Sequence, residues 1–159
     1  MAGYSSSTTS IRNRSVPTDG VLPHITYQDV GAAIAWLTEA FGFTEHYRYD
    51  EPDGSVHGAQ MYLGDAWIQL ANARPGRPSP VQLGGGTQSV MVFVADVRAH
   101  LERARAAGAV ITQEIIETEY GEREYNVEDL EGHSWTFSQH IQDVGPEDWG
   151  ASVSNPLKL

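Results

Sequence analysis

The sequence contains one pattern twice, and an internal repeat constrains a fold more strongly than any single motif. The first copy begins with VLPHITYQDV at residues 21–30, and the second begins with QSVMVFVADV at residues 88–97. In both copies an alternating run ends at Asp-Val, and a helical pattern follows. We therefore predict two tandem units of the same topology, separated by the Pro- and Gly-rich linker 74–87.

A helix is predicted directly after each Asp-Val pair. Asp29 and Asp96 are suitable N-cap residues, because a carboxylate accepts hydrogen bonds from the free N–H groups of the first helical turn. Gly42 and Gly108 follow the two helical patterns, as expected where a helix ends. Each helix carries one apolar stripe, made of Val30, Ile34, Leu37 and Phe41 in the first and of Val97, Leu101 and Ala104 in the second.

Three strand-like runs follow each predicted helix. They cover residues 43–50, 55–63 and 66–72 in the first unit and 109–115, 122–128 and 133–140 in the second. The fold class is therefore α+β, with two βαβββ units at 21–73 and 88–141. Residues 1–20 are predicted to form a flexible N-terminal arm, and 142–159 a C-terminal tail. The alternative is an unrelated α+β domain whose halves are similar by chance.

Composition narrows the classes of function. The chain of 159 residues has a formal net charge of -11, which argues against nucleic acid or an anionic membrane as partner and is compatible with a cationic ligand. There is no cysteine, which excludes disulfides and thiolate chemistry. No run approaches the roughly 20 apolar residues of a membrane helix, and no signal peptide is recognisable. We expect a cytoplasmic protein.

Three segments carry a resemblance to a known family: 22–43 (LPHITYQDVGAAIAWLTEAFGF), 92–109 (VFVADVRAHLERARAAGA) and 120–137 (YGEREYNVEDLEGHSWTF). With these segments the chain resembles the vicinal oxygen chelate superfamily of glyoxalases, bleomycin resistance proteins and dioxygenases. The turn Asp-x-x-Gly-His-x-Trp at 129–135 resembles the PhnB-like group within it. The resemblance implies a glyoxalase/bleomycin-resistance fold, in which paired βαβββ units form a cup-shaped, curved mixed sheet with the helices outside.

The same resemblance implies where a metal would be bound. It places the family's ligand positions at Leu22, Gln69, Ser89 and Thr136. Leucine cannot bind a metal, hydroxyl groups are poor ligands for transition metals, and only Gln69 is suitable. We therefore expect neither metal nor cofactor. The alternative is a divalent metal held by a different set, namely His24, Gln69 and His140.

The side chains expected to line the cup follow from strand alternation and from the resemblance. His24 is the candidate catalytic acid or base, and its alternative role is that of a polar lining residue. Arg123 could hold an anion or form a surface ion pair, and Trp67, Met91 and Phe93 could stack on a ligand or belong to the core. His100, on the second helix, is expected at the surface. The ligand-binding set is Leu22, His24, Thr26, Trp67, Gln69, Ser89, Met91, Phe93, Tyr120, Arg123 and Thr136.

Three functions are compatible with these residues. The first is a small-molecule binder that sequesters a drug or metabolite without metal, since sequestration requires only affinity. The second is an enzyme of the glyoxalase-like lyase, isomerase or dioxygenase type, using His24 or a metal. The third is a non-catalytic interaction module. The sequence does not decide whether the chain is an enzyme. The expected partners are a small-molecule ligand and, from the resemblance, a second copy of the chain in a homodimer.

Overall fold

The computed structural model of the protein describes residues 11–18 and 20–158. Unit one contains β1 (His24–Tyr27), α1 (Val30–Phe41), β2 (Thr44–Asp50), β3 (Val56–Leu63) and β4 (Ala66–Asn72). The linker contains a short helix, α2 (Pro80–Leu83). Unit two contains β5 (Ser89–Phe93), α3 (Val97–Ala106), β6 (Val110–Glu117), β7 (Glu122–Glu128) and β8 (Ser134–His140), followed by a 3-10 turn at Pro146–Trp149.

Each unit forms one four-stranded mixed sheet, and the two sheets have the same topology. The strand order is β1-β4-β3-β2 in sheet one and β5-β8-β7-β6 in sheet two. The first strand of each unit pairs in parallel with the last, and the remaining pairs are antiparallel. The predicted βαβββ repeat and the α+β class are confirmed.

The helices begin at the predicted residues. The Asp29 carboxylate accepts from the backbone N–H of Ala32 at 2.9 Å, and the Asp96 carboxylate accepts from that of Ala99 at 3.0 Å. Gly42 ends α1 with a φ of 79°, a left-handed conformation in which glycine has no Cβ to clash. None of the described helices is long and apolar enough to cross a membrane.

The two units share one hydrophobic core. Each helix covers one face of its own sheet, and α1 and α3 also pack against each other. Phe41 at the end of α1 lies against the rings of Trp135 and Phe137 in β8, with centroids 5.5 and 4.8 Å away. The predicted apolar stripes of both helices are buried in this core.

The turn between β7 and β8, which carries the Asp-x-x-Gly-His-x-Trp sequence, also joins the units. Asp129 is buried, and one of its carboxylate oxygens accepts from Tyr27 Oη at 2.7 Å and from Trp135 Nε1 at 3.1 Å. The other oxygen accepts from the backbone N–H groups of Glu131 and His133, both at 3.0 Å. Burial, and then the Asp129 charge, raise the pKa of Tyr27 well above its usual value, which keeps its hydroxyl protonated as a donor.

Two neighbouring side chains of the turn make further contacts with unit one. The Glu131 carboxylate accepts from the backbone N–H of Gln28 at 2.8 Å, just before α1. His133 Nε2 donates to the Thr26 carbonyl at 2.7 Å. The motif therefore has a structural role in this chain, because it fixes the end of β1 against unit two.

The prediction that His100 lies at the surface is wrong. Its Nε2 donates to the Phe41 carbonyl at 2.9 Å, so that Nδ1 of the neutral ring accepts from Tyr125 Oη at 2.7 Å. The imidazole also packs on Phe137, with centroids 3.9 Å apart. His100 therefore connects α3, the end of α1 and sheet two.

This position predicts a pH-dependent stability. Burial lowers the pKa of His100 in the folded chain. Below about pH 6.5, His100 therefore binds a proton more readily in the unfolded chain than in the folded chain. The free energy of unfolding should therefore rise with pH up to about pH 6.5 and then level off with respect to this group. His100→Gln should flatten that slope and cost about 2–3 kcal/mol at neutral pH, because the Tyr125 hydroxyl and the Phe41 carbonyl lose their partner.

Urea unfolding measured between about pH 5 and pH 8 gives this slope. His24→Gln is the matched control, because it makes the same substitution at an exposed histidine. Equal slopes in wild type and His100→Gln would contradict the assignment.

Candidate functional site

The face of each sheet that points away from the helices carries a row of side chains across all four strands, and the rows occupy equivalent positions in the two units. We call these two surfaces the open faces. The strand registers define the rows as Tyr47, Gln60, Gln69 and His24 in sheet one and Gln113, Asn126, Thr136 and Met91 in sheet two.

Hydrogen bonds connect the polar members of each row. In sheet one, Gln69 Oε1 accepts from Tyr47 Oη at 3.3 Å and from Gln60 Nε2 at 3.4 Å. Gln60 is fully buried, and its own Oε1 has no partner among the described residues. In sheet two, Asn126 Oδ1 accepts from Thr136 Oγ1 at 2.8 Å. The rows therefore place amide and hydroxyl groups at the centre of each open face.

The registers change the expected partners of Gln69 and Thr136. Gln69 lies opposite His24 in β1, and Thr136 lies opposite Met91 in β5. The predicted residues Leu22 and Ser89 lie two positions earlier along the chain: Leu22 precedes β1, and Ser89 pairs with Ser134 at the start of β5.

A second row of side chains, next to the first, distinguishes the two open faces. In sheet one it contains Gly58 and Ala71, with Thr26 beside them. In sheet two the equivalent strands carry Glu124 and Ser138, with Phe93 beside them. Sheet two therefore has a carboxylate and an aromatic ring at positions where sheet one has small residues.

Aromatic rings surround both rows. In sheet one, Trp67 packs against Tyr62 and His46, with ring centroids 4.8 and 5.5 Å away. His46 Nε2 also donates to the carbonyl of Arg14 at 3.0 Å, so the segment before β1 contacts this face. Residues 1–10 and 19 of the predicted arm lie outside the described residues.

Large side chains of the open faces lie at the molecular surface. Tyr49 is 64 % exposed, Met91 48 % and Phe93 51 %, although Val92, on the helix side of β5, is buried. Apolar side chains of this size are normally covered, and grouped exposed ones mark a binding surface. Parts of both open faces are therefore accessible in the described chain, although Gln60 and Glu124 on these faces are buried.

Three other predicted residues have different surroundings. Arg123 lies two residues before the buried Tyr125 and therefore shares its face, on the helix side of β7, where it forms an ion pair with Glu117. Thr26 is buried, and its carbonyl is bonded by His133. Tyr120 lies at the end of sheet two, and its hydroxyl donates to Glu124 at 3.0 Å. The structure thus brings Tyr120 to an open face and places Arg123 away from it.

His24, the candidate acid or base, begins β1 and is exposed. Within residues 11–18 and 20–158 it has no hydrogen-bond partner that would fix its tautomer or orientation. A general acid or base functions best when a neighbour holds its ring in place. The geometry gives His24 access to a ligand without the support of a catalytic dyad.

The residues that the family resemblance aligns with metal ligands are not a suitable ligand set for a metal ion. Gln69 and Thr136 are occupied by hydrogen bonds within their rows, and Leu22 offers no donor atom. The alternative set of His24, Gln69 and His140 is also unsuitable, because His140 is paired with Glu122 at the far end of β8. Across the described part of the chain, no group of three His, Asp or Glu side chains has a metal-binding arrangement.

A groove with a volume of about 400 Å³ lies beside the open faces, between the start of β1, the linker and the first residues of β5 and β8. Its lining includes His24, Arg77, Gln88 and His133. The volume is in the range of small-ligand sites. His24 therefore borders both the groove and the row of sheet one.

The family model for the Glyoxalase/Bleomycin resistance protein/Dioxygenase superfamily matches residues 21–137, which include both βαβββ units. The chain belongs to this superfamily. The predicted resemblance is thus confirmed at the level of the superfamily.

The crystal structure of TioX from Micromonospora sp. ML1 is similar, with 34 % identity and a TM-score of 0.63 over 76 % of this chain and 97 % of TioX. A superfamily structure from Burkholderia phytofirmans shares the fold at 21 % identity, with a TM-score of 0.58 over 76 % of this chain and 97 % of the other. An uncharacterised protein of Mycobacterium bovis is 29 % identical over 84 % of this chain and 91 % of its own length.

Proposed function

We propose that the protein binds a small organic molecule on the open faces of its two sheets and needs no metal ion to do so. The observation that supports this proposal is the pair of equivalent rows, in which Gln69 and Thr136, the residues that the resemblance aligns with metal ligands, are hydrogen-bonded to neighbouring side chains. Ligand sites are mostly apolar, with a few placed polar groups, and rows of amides and hydroxyls between aromatic rings have this composition.

Binding is favoured over catalysis by the surroundings of His24. The superfamily includes both resistance proteins and enzymes, so membership alone does not choose between them. An exposed imidazole without an orienting partner suits recognition of a ligand better than proton transfer. We therefore assign His24 a role in contacting the bound molecule.

The proposal includes a homodimer, in which the open face of sheet one on one copy covers that of sheet two on the other. A two-fold axis makes this contact twice, so both open faces of both copies are covered and the assembly closes. The polar groups can pair across this contact: sheet two contributes Glu122, Glu124 and Glu128 to its open face, whereas the open face of sheet one carries Tyr, Gln and His side chains that can donate hydrogen bonds to carboxylates. A cup between them would be lined by both copies.

The test is a thermal-shift screen of small organic molecules on protein treated with a chelator. Ligands that raise the melting temperature should do so equally before and after chelation. For such a ligand, His24→Ala should weaken binding about two- to tenfold, because one hydrogen bond is lost. A ligand that stabilises only the metal-loaded protein would contradict the proposal, and a loss of turnover of about a hundredfold in His24→Ala would indicate an enzyme.

A further inference from the structure

The open face of sheet two contains a buried carboxylate that is only half satisfied. Glu124 is 7 % exposed; its Oε1 accepts from Tyr120 Oη at 3.0 Å, and its Oε2 has no hydrogen-bond partner within residues 11–18 and 20–158. Buried carboxylate oxygens are normally bonded, since leaving one unpaired costs its desolvation energy. A group from outside the described chain that donates to Oε2 would remove this cost.

The missing donor is not supplied by a neighbouring cation. No Lys or Arg nitrogen of the described residues lies within 4.0 Å of the Glu124 carboxylate, whereas Glu45, Glu114 and Glu117 each have an Arg partner. The adjacent Glu122 accepts from Ser138 Oγ and from His140 Nδ1. Two carboxylates therefore lie along one side of β7, and of these Glu124 has no nitrogen partner among the described residues.

Two pairs of aromatic rings lie close to these carboxylates. The rings of Phe93 and His140 stack with centroids 4.6 Å apart, next to Glu122 at the end of β8. The ring of Tyr120, whose hydroxyl donates to Glu124, meets that of Trp149 with centroids 5.8 Å apart. Aromatic faces attract cations, and together with a carboxylate they form a good environment for an organic ammonium group.

The tail is held in this position by a turn that requires glycine. Gly121 has a φ of 87°, and a Cβ at this residue would lie 2.3 Å from the carbonyl oxygen of Gln142. Gln142 and Ile141 both donate backbone N–H groups to the Gly121 carbonyl. The close approach of these two segments is what brings Trp149 to Tyr120.

From these contacts we infer that Glu124 is the centre of a subsite for a protonated primary or secondary amine on the bound molecule. The N–H of the ammonium donates to Glu124 Oε2, and its carbon substituents lie against the rings. This inference rests on the proposed function, because it takes the open face of sheet two as part of the binding cup. It defines the ligand as an organic cation with an apolar body.

The experiment uses two probes of nearly equal shape, tryptamine and its neutral alcohol analogue tryptophol, titrated at millimolar concentrations into the full-length protein and followed by NMR. Tryptamine should bind about tenfold tighter or more, because a hydrogen bond to a charged group exceeds one to a neutral group. Glu124→Gln should abolish this preference and leave the affinity for tryptophol unchanged. Glu39→Gln, which removes an exposed charge on α1, is the matched control and should keep the preference.

A second measurement does not depend on any variant. Added salt should weaken tryptamine binding to the wild-type protein and leave tryptophol binding unaffected. Equal affinities in the wild type, or a preference that survives Glu124→Gln, would overturn the amine subsite while the binding of both probes to the open face still supported the proposed function. If neither probe changes the chemical shifts of residues in sheet two, the amine subsite is also refuted. The proposed function is then tested separately by the thermal-shift screen.

Discussion

Replacing Asp129 by alanine should lower the free energy of unfolding by about 3–5 kcal/mol, which corresponds to a fall in melting temperature of about 10–20 °C. The substitution removes the acceptor of four hydrogen bonds, from the Tyr27 hydroxyl, the Trp135 indole and two backbone N–H groups of the turn. All of these donors lie at the junction of the two units, where water cannot replace the carboxylate without disrupting the packing.

Asp129→Asn tests the same account with less change in shape. The amide keeps one acceptor oxygen and turns the other position into a donor, so we expect a loss of about 2–3 kcal/mol. Asp143→Asn is the control, because Asp143 is exposed and should change stability by less than about 0.5 kcal/mol. Chemical denaturation of the three variants gives these values, and wild-type stability of Asp129→Asn would show that the turn does not join the units as described.

The second large effect concerns association. We expect the wild-type protein to be a dimer and Met91→Glu to raise its dissociation constant about a hundredfold or more, because the new charge would be buried without a partner in the covered open face. Met91 is 48 % exposed in the single chain and lies beside Thr136 at the centre of that face.

Val81→Glu is the matched control for association. Val81 is 59 % exposed on α2, away from both open faces, so a charge there should leave the dimer intact. Light scattering over a range of protein concentrations measures both variants. A monomer mass for the wild type at every concentration, or equal dissociation constants for the two variants, would refute the pairing of open faces.

Much of the fold was predictable because its signals are local. Asp29 and Asp96 mark helix starts through the chemistry of their own carboxylates, and alternation reveals which residues of a strand share a face. The register between strands is different, because the parallel pairing of β1 with β4 depends on tertiary packing. For this reason the family alignment gave Leu22 as the residue of the first strand that accompanies Gln69, whereas the register of the structure pairs His24 with Gln69.

The positions of His100 and Arg123 could have been predicted correctly from the sequence. His100 follows Val97 by three residues and precedes Leu101 and Ala104, so it belongs to the apolar stripe of α3. Arg123 and the buried Tyr125 are two residues apart in β7, and such residues point to the same face of a strand. Arg123 is therefore expected on the helix side of β7.

Gln60, Asn126 and Glu124, which belong to the proposed site, were missed for a different reason. Each is a polar residue within a strand whose neighbouring positions are buried, and this pattern alone can indicate a lining residue. The sequence does not show that Gln60 and Glu124 are themselves buried with an unpartnered oxygen, because that depends on which side chains of adjacent strands cover them.

The central claim is that the open faces hold an organic ligand without metal, and NMR mapping on chelator-treated protein tests it most directly. With a ligand from the thermal-shift screen, the account predicts that the largest perturbations fall on Gln60, Gln69, Asn126 and Thr136, and that they are the same with and without chelator. Perturbations confined to the linker groove around Arg77 and Gln88, or binding that disappears when metal is removed, would contradict it.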